Sequence, residues 1–295
     1  MLKTIGQFLL AKESNAIVIA FLASLLPVFS LPTGFIAVLI VGLITLQKGM
    51  KSGFWVLSWV ALPTIALFAT KHVGLFDVFV LRCVVIWALA SLLRRYQSWQ
   101  LLLQIISLIG LGIIIGLHWW QPQLEQWWMT HLTQYLQQML SDTKVKDSTE
   151  LSTKLAQQIA PIATGVIIFF ISLTVLLELA VVRWWQTYLD QSALFSKEAV
   201  QVHAGKMAAL LAVLFLVLTV MKYPFAMDAF AVALLPLFLA GLSFLHFMAR
   251  RNKYFVYLLI LIYTGFIFLP AFVVSLIAGL AFLDAWVNFR KKMAL

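Results

Sequence analysis

The sequence predicts an all-α, polytopic helical membrane protein with eight to ten transmembrane helices and both termini cytoplasmic. Two observations carry this. Of 295 residues, 63% are hydrophobic and only 11% charged, with a mean hydropathy of +1.00; a soluble surface needs about 25% charged residues. The apolar residues also lie in long unbroken runs, not in amphipathic stripes or in the alternation of a membrane β-barrel.

The runs fall at 15–46, 53–69, 73–91, 99–120, 161–182, 207–221, 229–248 and 254–285. The first does not read as a cleavable signal peptide, since no small-residue cleavage site leads into a soluble mature domain. Basic residues orient the rest. With the N-terminus inside, 15 of the 21 Lys and Arg residues fall on the cytoplasmic side. Five fall outside (Lys71, Lys144, Lys146, Lys154 and Lys222), and Arg82 is left within a run. The net charge of +10 is thus explained by topology, and no nucleic-acid partner is expected.

Runs 15–46 and 254–285 carry basic residues at both ends, so each must cross an even number of times. Each would be about 48 Å long as one straight helix, against a hydrocarbon core of roughly 30 Å. The first is interrupted by "LPVFSLPTG", with Pro27, Pro32 and Gly34, and the second at Pro270. Two arrangements satisfy this: hairpins of two short helices, giving ten passes, or re-entrant hairpins of the kind that build midplane sites in transporters.

The chain reads as a single membrane domain, 1–295, with two extramembrane pieces. Residues 121–160 form an external amphipathic loop, in which Leu124, Trp128, Leu132, Tyr135 and Met139 recur at helical spacing. Trp119, Trp120, Trp127 and Trp128 suit an interfacial aromatic belt. Residues 183–206 form a cytoplasmic interfacial loop.

Few residues can carry chemistry. No ATP-binding loop, zinc-protease motif or nucleophile elbow is present, and His72, His118, His131, His203 and His246 are scattered without ligand spacing. No cofactor, no metal and no enzyme activity is expected. The lone cysteine, Cys83, lies inside a run, so no intramolecular disulfide is possible.

What stands out is Arg82, in "DVFVLRCVVIWALASLLRRYQ". Arginine at mid-span costs about 2.5–3.5 kcal/mol on insertion scales, so it faces a partner, a cavity or a ligand. Its side chain reaches only about 6–7 Å, too short to snorkel fully from mid-span. Glu178 lies five residues before Arg183 and Asp284 six before Arg290, about 7.5 and 9 Å inside the inner boundary. Arg82, Glu178 and Asp284 are the candidate substrate-binding residues. Two roles fit Arg82: a structural pair with a carboxylate on another helix, or a contact to an anionic ligand. Glu178 has Arg183 and Asp284 has Asn288 as a near alternative partner. The basic clusters Arg250-Arg251-Asn252-Lys253 and Arg290-Lys291-Lys292 set topology and suit anionic headgroups.

"RWWQ" at 183–186, "LITLQKGMKSG" after the first run, and the ending "GLAFLDAWVNFR" resemble the YybS-like family of bacterial membrane proteins, over nearly the whole chain in order. The loop "ALFSKEAVQVHAG" departs from that family's Gly/Pro-containing, acidic-aromatic pattern. The resemblance implies a bacterial inner-membrane location. It also implies remote similarity to the substrate-capturing components of energy-coupling vitamin transporters, some of which dock their coupling subunit through an Ala-xxx-Ala face. Ala16/Ala20 has that spacing here, and Gly112/Gly116 is a second small-xxx-small pair.

Three functions follow as expectations: capture or permeation of an anionic small molecule with a partner's help, a non-transporting interaction or assembly role, and a lipid-acting enzyme. Each has the lipid bilayer as a partner.

Overall fold

In hydrocarbon every backbone N–H and C=O needs an internal partner, so long apolar runs form helices. The computed structural model describes residues 1–25, 34–69, 75–142 and 148–294, apart from the side chains of 64–69, 75–78, 142, 148 and 293–294. All regular elements among the described residues are helical. They are α1 Leu2–Ala11, α2 Glu13–Leu25, α3 Gly34–Lys48, α4 Met50–Ala69, α5 Leu75–Tyr96, α6 Trp99–Trp120, α7 Leu124–Asp142, α8 Ser148–Ile159, α9 Ala163–Leu189, α10 Leu194–Ala199, α11 Gly205–Val220, α12 Ala226–Arg251, α13 Tyr254–Phe268, α14 Pro270–Val287 and α15 Phe289–Ala294. By internal contacts the chain groups into two units, residues 1–102 with 173–200, and residues 103–172 with 201–295.

In the first unit α3 is the central helix, packed by α2, α4 and α5. Nearly every side chain from Ala37 to Leu46 is buried. Gly42 lets this crowding happen: a Cβ there would meet Val182 at 3.0 Å and Ile86 at 3.4 Å. The turn into α4 requires Gly49, whose φ of 103° lies in the region that L side chains avoid. Arg94 closes the end of α3 by donating to the Leu46 carbonyl at 2.7 Å. The sequence reading did not foresee α1. It meets α2 at a bend of 116°, with Lys12 extended between them. Asn15 donates to the Phe8 carbonyl at 2.9 Å, satisfying an α1 end group.

In the second unit α12 is central, packed by α11, α13 and α14. Alanines recur in its contacts (Ala208, Ala209 and Ala212 on α11, Ala229, Ala233 and Ala240 on α12, and Ala278 and Ala281 on α14), beside the larger Phe215, Val232 and Leu237. Close backbone approach, not hydrophobic segregation, is what holds helices together where the solvent is itself apolar. Within residues 121–160 lie two helices, α7 and α8, packed on each other. The inward stripe of α7 runs through Leu124, Trp128 and Leu132 as expected, but it continues through Leu136 and Leu140 while Tyr135 and Met139 face outward. Each step of four advances about 40° around a helix of 3.6 residues per turn, so the buried line drifts round α7 instead of holding the single face that the steps to Tyr135 and Met139 describe.

Among the described residues, four stretches are long and apolar enough to cross a membrane: Trp99–Trp120, Thr149–Leu189, Ala226–Arg251 and Pro270–Val287. A fifth is added if α1 and α2 make one bent span. Helices α3, α11 and α13 are apolar but shorter. The run 254–285 is interrupted at Leu269, which leaves the helical region at φ −138° and ψ 60° while Pro270 opens α14. That follows from the steric restriction on the residue before proline and proline's fitness for the first helical position. The break anticipated at "LPVFSLPTG" falls on residues 26–33, outside the described residues. "RWWQ" stands within α9, which runs on to Leu189, so residues 183–189 of the segment expected as a loop are helix. No proline or glycine lies between 166 and 189 to stop the helix.

Candidate functional site

Arg82 stands two turns into α5 and Glu178 near the middle of α9, each set among apolar neighbours. The structure brings them together: an Arg82 terminal nitrogen donates to Glu178 Oε1. The Arg82 side chain is 27% exposed and that of Glu178 11%. The pair is one-sided. Arg82 Nε and Glu178 Oε2 are both buried and have no hydrogen-bond partner among the described residues. A bidentate arginine–carboxylate pair would satisfy both. A buried polar group without a partner costs about 1–3 kcal/mol, and more when charged. The arrangement therefore leaves a donor and an acceptor of one ion pair unpartnered, on a cation with one hydrogen bond among the described residues. Cys83, next in sequence, is buried.

Asp284 belongs to the second unit, and both of its oxygens are engaged there. Oδ1 accepts the Phe289 backbone N–H at 2.9 Å. Oδ2 lies 3.2 Å from Arg290 Nε and 3.4 Å from His203 Nδ1. Arg290 is itself 6% exposed and donates to Ser243 Oγ at 3.1 Å and to the Ala240 carbonyl at 2.8 Å. Asn288 adopts a left-handed conformation and donates its backbone N–H to the Asp284 carbonyl at 2.9 Å. The segment "DAWVNFR" is thus a clasp that stops α14 and ties the chain after it to α12. Burial and the Arg290 charge hold His203 below its ordinary pKa, with Asp284 acting against them.

Arg183 does not turn back to Glu178. It grips Glu198 with two hydrogen bonds, Nε at 3.1 Å and a terminal nitrogen at 2.6 Å, and reaches Gln186 at 2.8 Å. Trp99 Nε1 donates to the same Glu198 at 3.0 Å. Burial pushes the Glu198 carboxyl up, but the bonds from Arg183 and Trp99 and the Arg183 charge outweigh it, and its pKa is lowered.

The chain matches no protein-family model, no curated protein and no solved structure.

The sequence reading missed one buried carboxylate. Asp228, in the first turn of α12 and 3% exposed, accepts the Gly165 N–H at 2.6 Å and lies 2.9 Å from His118 Nε2. His118 was seen only as a scattered histidine. The available signal was an acid at the very start of an apolar run, in "YPFAMDAF". Its distance of 110 residues from His118 hid the pairing. Among the described residues no group of three His, Cys, Asp or Glu side chains is placed to hold a metal ion.

Proposed function

We propose that this chain is a multi-pass protein of the bacterial inner membrane, YybS-like in kind, that captures or passes a small anionic molecule at Arg82. Eight to ten passes with both ends inside remain the topology that its charges favour. The observation that carries the reading is the one-sided Arg82–Glu178 pair, with a buried donor and a buried acceptor unpartnered among the described residues. An incoming carboxylate or phosphate gains the Arg82 fork by displacing Glu178, and a ligand bearing both donor and acceptor can bridge the pair. Asp284 is not carried into this site, since both its oxygens are engaged in the clasp.

No ATP-binding motif is present in the sequence, so active uptake calls for a partner ATPase module; without one the protein acts passively. Ala16 and Ala20 are fully buried, whereas a Cβ on Gly112 or Gly116 would meet nothing within 4 Å. The glycine face is therefore the one we assign to a membrane partner. The same open face favours the second reading, an interaction or assembly protein. No observation favours a lipid-acting enzyme.

Native mass spectrometry of protein released gently from its own membrane tests the proposal, with wild type beside Arg82→Gln and Glu178→Gln. We expect a discrete small-molecule adduct on the wild type, lost in Arg82→Gln and kept or strengthened in Glu178→Gln, where the competing carboxylate is gone. An adduct-free wild type, or one whose adduct survives Arg82→Gln in a folded protein, overturns it and leaves the interaction role.

A further inference from the structure

The second unit holds a groove of about 240 Å³ between α11 and α14, floored by α12 and lined by Val213, Leu216, Phe230, Leu234, Gly279 and Phe282. Its lining is almost wholly apolar, and a Cβ on Gly279 would meet nothing within 4 Å, so the groove is open along α14. On α14 the residues Ser275, Gly279, Phe282 and Trp286 follow at spacings of four, three and four, which places them on one face. On α11 Lys206 lies seven residues before Val213, two turns and about 10 Å along the same face. The two faces meet at one end, where Lys206 Nζ sits 5.8 Å over the Trp286 ring. Trp286 packs in turn on Phe282 at 6.3 Å. The groove is thus apolar along its length, with a tryptophan against its Phe282 wall and a lysine over that tryptophan.

We propose that this groove seats one acyl chain of an anionic phospholipid, with the phosphate held at Lys206 beside Trp286. Two observations select that occupant. The charge at that end is positive: Lys206 is exposed and stands over Trp286, whereas Asp284, two residues before Trp286, is buried against Arg290. Tryptophan and lysine together are the residues that anchor chains at a membrane interface, the ring among the glycerol groups and the amine at the phosphate. The proposal rests on the membrane reading but not on the Arg82 site.

The test uses the full chain in detergent and native mass spectrometry with dioleoyl phosphatidylglycerol, dioleoyl phosphatidylcholine of the same chains, and inorganic phosphate. Wild type should retain phosphatidylglycerol several-fold better than phosphatidylcholine and retain no phosphate. Lys206→Gln should abolish the preference between the two lipids. Gly279→Phe, which fills the groove at a position with room for a side chain, should cut retention of both several-fold; Ser275→Phe serves if that variant does not fold. Equal retention of the two lipids by wild type overturns the proposal. So does phosphatidylglycerol retention unchanged by a filled groove, or a protein segment bound in the groove in place of lipid. A chain that stays dispersed without detergent would instead overturn the membrane reading itself.

Discussion

Gly165 on α9 donates its backbone N–H to the Asp228 side chain on α12 at 2.6 Å, and a Cβ at position 165 would fall onto the Asp228 backbone. The two helices can cross here only because residue 165 has no side chain. Gly165→Ala should therefore destabilise the protein by about 1–3 kcal/mol, the usual range for overpacking a filled interior. Gly112→Ala faces open space and should be neutral or raise stability by up to about 1 kcal/mol through helix propensity. Thermal melting of both variants in one detergent compares them. Equal melting temperatures would show that the close approach at Gly165 is not a constraint.

The Arg82–Glu178 pair predicts a non-additive cycle. Removing one partner leaves the other charge uncompensated in a poorly solvated setting, and single Arg82→Leu or Glu178→Leu changes should each cost about 3–5 kcal/mol. The double change removes both charges and should cost clearly less than the sum. Because the Arg82 left behind by Glu178→Leu is 27% exposed, that variant should sit at the low end of that range. Additive losses across the four proteins in a denaturation series would mean that the two groups do not stabilise one another.

Acid should weaken the protein in two steps, through His203 and Glu198. The folded pKa of His203 lies below the usual 6.5, from burial first and then the Arg290 charge. The unfolded chain therefore takes up this proton first. The contribution is complete above about pH 6.5 and is lost as the pH falls toward the folded value. Glu198 is lowered from 4.5, so its contribution is complete above that value and is lost as the pH falls through the folded one. In melting curves from pH 8 to pH 2, His203→Gln should flatten the first decline and Glu198→Gln the second. A Glu198→Gln deficit that stays constant down to pH 4 and below would contradict the Arg183–Trp99 grip as its cause.

Much of the secondary structure was legible along the chain, for reasons that act locally. Apolar runs of span length are helical, the form that pairs a segment's backbone groups within the segment itself. Pro270 marked the break between α13 and α14, because proline restricts the residue before it. Arg82 stood out because a guanidinium in an apolar run needs a partner, and Glu178 was among the few candidates. What was not legible involved residues far apart in sequence. Nothing in the chain itself shows that Glu178, 96 positions from Arg82, meets it while Arg183 turns to Glu198. Nor does it show that Asp228 receives Gly165 and His118, or that Asp284 spends both oxygens on the C-terminal clasp. Helix α1 escaped notice because ten residues without a capping signal are too short to read as a span.

The sequence by itself determined the all-helical class, most of the long apolar helices and several of the charges that need company, since hydropathy and backbone hydrogen bonding are properties of each segment alone. Only the tertiary structure decided which charge keeps company with which, where a glycine admits a neighbouring helix, and where two helices part to leave a groove. Those depend on helix rotation and close approach, which many long-range contacts fix together and no single segment encodes.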